Sequence, residues 1–215
     1  MKKIISFSLW GDNPVYNVGA IRNAELAKDV YPDWVCRYYY GTSTLESTIE
    51  KLKEFDNVEL INMGVEGDWN GMFWRFYPSS DDDVDVVIVR DCDSRLNQRE
   101  KDAVDEWLKT DKGFHIMRDH PAHGTEILGG MWGSKKGTIK EMKQLIDEYI
   151  KGNFWQVDQN FLREKIYPIV KLNCVVHDEF FDNIPFPTER EYKTFVGQAF
   201  NENDEMLHPE HVNHL

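Results

Sequence analysis

A continuous β-branched run, VDVVIV at residues 84–89, leads through Arg90 into two aspartates, Asp91 and Asp93. A run of this composition is typical of a strand buried on both faces of a parallel sheet. If the chain stays extended, Asp91 and Asp93 point to the same face, because side chains alternate along a strand. Two carboxylates that close repel each other, and burying them unpaired is costly. Compensation must come from Arg90 or Arg95, from water, or from a divalent cation bound through oxygen.

Strand and helix patterns alternate along the first two thirds of the chain. The predicted strands are residues 3–9, 34–41, 58–63, 84–89 and 114–117. Helices are predicted over 17–29 and 72–77, and after three side-chain caps, Ser43 with Glu46, Asn97 with Glu100, and Thr138 with Glu141. The alternation predicts an α/β fold with a mainly parallel central sheet and helices on both faces. We expect one domain over residues 1–215, with the last 15 residues lying along the surface.

The amino-acid composition restricts the kinds of molecule that this chain is expected to bind. A formal net charge of −13 disfavours binding to nucleic acid or to anionic lipid, since both require basic surface. The three cysteines are widely spaced and odd in number, so neither a disulfide framework nor a zinc knuckle is indicated. The N-terminal run is broken by Ser6 and Ser8 and is followed by no cleavage site, so it predicts a first strand. These features favour a soluble cytoplasmic protein without membrane insertion.

The aspartate pair lies where ligands collect in open α/β sheets, beyond the carboxyl end of a strand. An EF-hand is excluded, because Leu96 stands where that loop requires glycine. A phosphatase of the haloacid dehalogenase type also ends a strand in Asp-x-Asp, but on an early strand. Here three strands precede the pair, and Arg95 stands where Thr or Val is usual.

The order of motifs resembles the GT-A-fold nucleotide-sugar glycosyltransferases. The Asp-x-Asp pair is followed by ILGGMWGSKKG (127–137), WQVDQNFLREKIYP (155–168) and VVHDEF (175–180), the order seen in glycogenin-like and bacterial galactosyltransferase-like retaining enzymes. The stretches WRFYPSSDDDVDVVIVRDCDSRLNQRE and RDHPAH are similar to small glycosyltransferases of large algal viruses, including capsid glycosyltransferase domains of chlorella viruses. A viral enzyme of this kind would work in the host cytoplasm.

This resemblance implies a metal-dependent enzyme. By this resemblance, Asp91 and Asp93 would hold Mn²⁺ or Mg²⁺ in this chain, and Asp91 would also contact the ribose. His177 would complete the coordination of the metal. In many relatives Gly-Lys-Pro-Trp follows the ligand histidine, and this run is missing after His177. The alternative is that His177 is a core histidine and not a metal ligand. The cation would neutralise negative charge on the leaving diphosphate.

The resemblance also places Asp158 and Gln159 beside the donor sugar, with Asp158 on its hydroxyls and Gln159 facing the anomeric carbon. The alternative for Asp158 is a helix N-cap. Asp119, which follows a predicted strand, is a further candidate for binding donor hydroxyls. An inverting enzyme would instead need a general base near the acceptor, for which Asp119 and Asp158 are the candidates.

The remaining candidates concern the nucleotide and the sugar ring. Arg75, in an otherwise apolar segment, is predicted to meet the pyrophosphate, with Arg22 as a second possibility. The end of the first strand, at Ser8, Leu9 and Trp10, is expected to frame the base. Gly130, with its neighbouring glycines, allows close backbone approach, and Trp132 offers an apolar face to a sugar or is a core residue.

The sequence therefore predicts transfer of a sugar from a nucleotide-sugar, favouring a UDP-sugar, to a glycan or glycoprotein acceptor with retained configuration. A sugar nucleotidyltransferase is the first alternative, although SLWGDNPVYN lacks the glycine-rich basic loop expected after its first strand. An Asp-x-Asp phosphatase and a non-catalytic carbohydrate- or Ca²⁺-binding module are the others.

Overall fold

A mixed β-sheet organises the part of the chain that this computed structural model describes, residues 1–191 and 193–215. Its seven strands are β1 (Lys3–Leu9), β2 (Val35–Tyr40), β3 (Val58–Asn62), β4 (Val86–Val89), β5 (Phe114–Arg118), β6 (Trp132–Lys135) and β7 (Cys174–Asp178). Their order across the sheet is β3-β2-β1-β4-β6-β5-β7. Every neighbouring pair is parallel except the two pairs that include β6. The prediction of an α/β fold with a mainly parallel sheet is confirmed.

Strand β6 was not predicted, because its glycine and serine read as a turn. It runs antiparallel between β4 and β5, and its first residue, Trp132, lies opposite Val89 at the end of β4. The loop that precedes β6 and the loop that follows β4 therefore lie side by side at one end of the central strands. The end of β1 lies beside them, since Ser6 aligns with Val89.

Six α-helices are present in the described residues: α1 (Pro14–Val30), α2 (Glu46–Lys53), α3 (Gln98–Leu108), α4 (Met142–Glu148), α5 (Val157–Phe161) and α6 (Tyr167–Val170). A π-helical turn, Leu162–Ile166, joins α5 to α6, and 3-10 helices occupy Trp69–Ser80 and Pro209–His214. The predicted helix at 72–77 is thus the middle of a longer 3-10 segment.

Only some of the predicted helix starts are confirmed. Asn97 caps α3 as predicted, accepting a hydrogen bond from Glu100 N. Helix α1 begins earlier than predicted, at Pro14, because Asn13 caps it. The caps predicted at Ser43 and Thr138 are wrong: Ser43 Oγ accepts from Gly11 N, and Thr138 Oγ1 donates to Gly113 O. Both hydroxyls tie neighbouring loops together.

Apolar residues pack on both faces of the sheet. One layer places Ala20, Ala24 and Ala27 of α1 against β1 and β2. The other packs Phe76 and Phe161 around β4 and β6. No helix in residues 1–191 and 193–215 has the length and apolarity needed to cross a membrane. Both layers leave the carboxyl ends of β1 and β4 open to the loops that follow them.

Candidate active site

A cavity of about 470 Å³ opens at the carboxyl ends of β1 and β4. The loops after β1 and β4, the 3-10 segment Trp69–Ser80, the chain before β6 and the start of α5 form its walls. Eight of the residues selected from the sequence line it: Ser8, Leu9, Trp10, Arg75, Asp91, Asp93, Asp158 and Gln159. Motifs far apart in the chain therefore share one site.

The carboxylate of Asp93 has no hydrogen-bond or salt-bridge partner among the described residues. Neither flanking arginine pairs with it directly, because Arg90 pairs with Glu100 at 3.0 Å inside the core and Arg95 pairs with Asp204 at 2.9 Å. Burial, and then the charge of Asp91, raise the pKa of Asp93 to about 6. The charges of Arg75 and Arg95 offset this rise only in part, so the site holds a carboxylate with which no described side chain pairs directly.

Arg75 compensates two further aspartates of the cavity, Asp91 and Asp158. Its guanidinium contacts Asp91 Oδ1 through Nη1 and donates to Asp158 Oδ2 through Nη2 at 2.8 Å. The side chain is buried, and its backbone N–H donates to Ser8 Oγ at 3.1 Å. The prediction that Arg75 meets the pyrophosphate needs correction, because both terminal nitrogens are occupied by carboxylates. Arg75 instead ties the loop after β4 to the start of α5.

Two glycines make room for this bridge. A Cβ on Gly129 would crowd Asp158 Oδ2 and Arg75 Nη2, and a Cβ on Gly130 would overlap Asp91 Oδ2. Gly130 thus lies behind Asp91 and does not line the cavity, which corrects its predicted role in donor binding. In the fold, the absence of a side chain at Gly130 lets the backbone pass close to Asp91.

Trp132 does not reach the cavity. Its ring is fully buried, stacked on Phe114 with centroids 5.3 Å apart and in edge contact with Phe76. It begins β6 with its side chain in the core, so the predicted contact with a sugar ring is wrong and the core alternative holds.

The end of β1 forms the wall opposite α5. Ser8, Leu9 and Trp10 all line the cavity, and Trp10 covers Gly67 and Gly71 and meets the edge of Trp74. Leu9 itself is buried. Trp10 therefore presents a fixed, partly exposed aromatic surface next to Asp91.

Asp158 and Gln159 lie in the first turn of α5. The helix begins at Val157, with Gln156 at its N-cap in the left-handed conformation (φ 69°), so the alternative in which Asp158 caps the helix is wrong. Asp158 is 1% exposed, and burial raises its pKa although Arg75 partly offsets the effect. The Gln159 side chain faces the cavity without a partner among the described residues.

Three aromatic residues at the rim were not selected from the sequence. Tyr16, Trp69 and Trp155 line the cavity yet remain 42%, 42% and 66% exposed. Desolvation, with the charges of Asp93 and Asp91, raises the pKa of Tyr16 to about 12. Of the three, only Trp155 could have been selected from the sequence, because it lies three residues before Asp158.

Asp119 is part of a buried ion-pair network outside the cavity. Its oxygens accept from Arg99 at 2.8 Å, from Arg190 at 2.6 Å and from Val196 N at 2.9 Å, and the residue is fully buried. No oxygen is free for a sugar hydroxyl. The prediction of a catalytic role for Asp119 is wrong: it holds Arg190 and Val196 against the end of β5.

His177 lies on β7, three strands away from β4, a distance of roughly 14 Å at the usual spacing between strands. Its Nδ1 is 2.8 Å from His115 Nε2, and its Nε2 is 3.5 Å from Glu106 Oε1. The carboxylate favours a proton on Nε2, which leaves Nδ1 to accept from His115. His177 cannot share an ion with Asp93, so its assignment as a metal ligand is corrected.

The buried histidines predict acid sensitivity of the fold. Burial lowers the pKa of His115 well below 6.5 and that of His123 to about 3. Below pH 6.5 the unfolded chain takes up protons that the folded chain refuses, so stability falls with falling pH. The limit is about 1.4 kcal/mol per pH unit for each histidine.

Urea unfolding at pH 7.5, 6.5 and 5.5 measures this slope. His115→Phe, which keeps an aromatic ring stacked on Trp107, should have a shallower slope than the natural chain. Equal slopes in the two proteins would contradict the assignment, whatever their absolute stabilities.

No protein-family model and no curated protein sequence matches this chain. Solved structures do match its fold. A glycosyltransferase involved in the glycosylation of the major capsid of PBCV-1 aligns over 85% of this chain and 84% of its own, with 13% identity and a TM-score of 0.56.

A mannosyltransferase from Pyrobaculum calidifontis, in complex with GDP-Man and Mn²⁺, aligns over 89% of this chain with 11% identity and a TM-score of 0.54. This chain spans only 59% of its length. A 4-diphosphocytidyl-2C-methyl-D-erythritol synthase from Anaerococcus prevotii aligns over 87% of this chain and 91% of its own, with 12% identity and a TM-score of 0.51. The GT-A fold predicted from the sequence is confirmed.

Proposed function

We propose that this chain is a metal-dependent glycosyltransferase that uses a nucleotide-sugar, preferably a UDP-sugar. The observation that carries the proposal is one cavity in which an unpartnered carboxylate, Asp93, faces the same space as the Asp158–Gln159 pair. Exposed aromatic rings at the rim support it, since such rings stack on the apolar faces of sugars. The confirmed fold supports it as well.

The charge of the cavity favours a cation. Three aspartates of the inner wall, Asp91, Asp93 and Asp158, face a single arginine, so an added diphosphate would meet net negative charge. Carboxylate oxygens with excess charge suit a hard divalent ion, and Asp91 and Asp93 are the residues that would hold Mn²⁺ or Mg²⁺. When bound, that ion would neutralise the charge that develops on the leaving diphosphate.

The protein side chains supply positioning. Asp158, whose Oδ2 accepts from Arg75 and whose Oδ1 accepts from Gln159 N, would use a remaining lone pair to accept a hydrogen bond from a hydroxyl of the donor sugar. Gln159 would direct its amide oxygen, a dipole without formal charge, toward the anomeric carbon as positive charge develops there. This arrangement favours a retaining transfer, in which the acceptor approaches on the face that the diphosphate leaves.

The end of β1 would receive the nucleotide. Trp10 offers a ring for the base, and the backbone at Ser8 and Leu9 lies next to the aspartate pair. The preference for uracil comes from the resemblance of the sequence motifs, and the acceptor would be a glycan or glycoprotein approaching past Trp155.

A nucleotidyltransferase is a second candidate, favoured by the similarity to the Anaerococcus prevotii synthase. Such an enzyme must bind a triphosphate, which calls for free basic groups around the strand ends. Within the described residues, Arg75 is the one Lys or Arg that lines the cavity, and carboxylates occupy it. Glycosyl transfer therefore fits the charges better.

Product analysis separates the two reactions. The purified protein is incubated with Mn²⁺ and each of UDP-glucose, UDP-galactose and GDP-mannose, and separately with UTP or CTP and a sugar 1-phosphate. We expect nucleoside diphosphate to be released from a nucleotide-sugar, and turnover to fall about 10- to 1000-fold in Gln159→Ala. Pyrophosphate release from a nucleoside triphosphate, with none from nucleotide-sugars, would replace the proposal with the second candidate.

A further inference from the structure

The C-terminal 3-10 helix, Pro209–His214, gathers metal-binding side chains outside the cavity. We propose that His208, Glu210 and His211 form a site for a transition-metal ion, with Zn²⁺ the best fit. One ligand atom from each residue lies within 4.8 Å of the others. None of the three lines the cavity or takes part in the proposed transfer.

The separation of two of these atoms fits zinc geometry. His208 Nδ1 lies 3.4 Å from Glu210 Oε1, longer than the usual 2.7–3.2 Å of an N–H···O hydrogen bond. Two ligands bound to a tetrahedral ion at about 2.0–2.1 Å are about 3.4 Å apart. The pair is therefore already spaced as two ligands of one ion.

The local backbone aligns the two imidazoles. His208 immediately precedes the 3-10 helix, and His211 lies within it, three residues later. The rings stack with centroids 4.9 Å apart and planes inclined by 27°. Both rings thus stand on the side of the helix where Glu210 contacts His208.

Both ring nitrogens of the neighbouring His120 are already hydrogen-bonded. His120 accepts from Ala122 N through Nδ1, and its Nε2 bonds to the His211 carbonyl at 2.9 Å. His123 Nδ1 accepts from Asp119 N. By contrast, the side chains of His208 and Glu210 are 51% and 62% exposed, so an ion can reach them from solvent.

The donor set distinguishes this site from the aspartate pair. Two imidazole nitrogens and one carboxylate suit Zn²⁺, whereas the oxygens of Asp91 and Asp93 suit Mn²⁺ or Mg²⁺. Three protein ligands would leave the fourth position to water. The ion would fasten the C-terminal helix, which the His211 carbonyl already ties to the loop that carries His120 and His123.

Isothermal titration with Zn²⁺ tests the site in an Asp93→Asn background, which weakens ion binding in the cavity. We expect one equivalent of Zn²⁺ to bind and to raise the melting temperature. His208→Gln and Glu210→Gln should each weaken binding at least about 10- to 100-fold and remove the thermal shift. Glu202→Gln, a change of an exposed acid in the same tail, is the matched control and should bind Zn²⁺ normally.

Binding of Co²⁺ provides a second readout, because its visible spectrum reports nitrogen ligands. The Co²⁺ spectrum should disappear in His211→Gln and persist in Glu202→Gln. Absence of saturable Zn²⁺ binding, or binding that survives both His208→Gln and Glu210→Gln, would overturn the proposal.

Discussion

Replacement of Asp93 by alanine should lower sugar transfer by about three orders of magnitude without loss of stability. Asp93 is a cavity carboxylate with which no described side chain pairs directly, so under the proposed function its removal would delete a cation ligand and with it stabilisation of the leaving group. Removal of a charge that repels Asp91 should leave the free energy of unfolding unchanged or slightly raised.

The comparison requires steady-state transfer rates with Mn²⁺ and urea unfolding of both proteins. Asp12→Ala is the matched control, because Asp12 also lines the cavity but is exposed and lies outside the Asp-x-Asp pair. It should retain transfer within a fewfold of the natural chain. Full transfer by Asp93→Ala, or by the natural chain after thorough chelation, would contradict the metal-dependent mechanism.

Replacement of Arg75 by methionine should destabilise the fold by about 3–5 kcal/mol, the usual cost of leaving a buried charge without its partner. Asp158, 1% exposed, would lose its salt bridge, and the loop after β4 would lose its link to α5. Activity should be lost as well, because Asp91 and Asp158 would no longer be held in place.

Arg22→Met is the control. Arg22 also pairs with two acidic residues, Glu25 and Asp204, but its side chain is 48% exposed, so its loss should cost less than about 1 kcal/mol. Urea unfolding of the two variants measures the difference. Equal stabilities would show that the Arg75 bridge is not a buried interaction.

Part of this site can be predicted from the sequence, because residues that follow neighbouring parallel strands lie close together at one end of the sheet. The composition of β4 identifies a central strand, and the parallel arrangement then places Asp91 and Asp93 beside the end of β1. The position of Asp158 and Gln159 could be inferred only from the order of motifs, since α5 reaches the cavity through tertiary packing. The local sequence gives no indication of that packing.

Three of the errors, at Asp119, Trp132 and His177, relate to the position of β6 between β4 and β5. With β6 in this position, β5 and β7 lie farther out in the sheet, so Asp119, which follows β5, and His177, which lies on β7, are away from the cavity. Trp132, which begins β6, is turned into the core. A four-residue antiparallel strand that contains glycine has too weak a pattern to be predicted from sequence.

Arg75 shows a second limit. An arginine in an apolar segment indicates a buried ionic interaction, but its partners are 16 and 83 residues away along the chain. Whether it meets a phosphate or two carboxylates depends on distances that only the folded chain defines.

Titration of UDP into the natural protein, with and without Mn²⁺, tests the central claim most directly. If Asp91 and Asp93 hold an ion that mediates diphosphate binding, UDP should bind at least about tenfold more tightly with Mn²⁺ than in EDTA, because three aspartates otherwise repel it. By linkage, UDP should tighten Mn²⁺ binding by the same factor, and Asp93→Ala should abolish the coupling. Equal UDP affinity with and without Mn²⁺, unchanged in Asp93→Ala, would contradict the assignment of this cavity as a nucleotide–metal site.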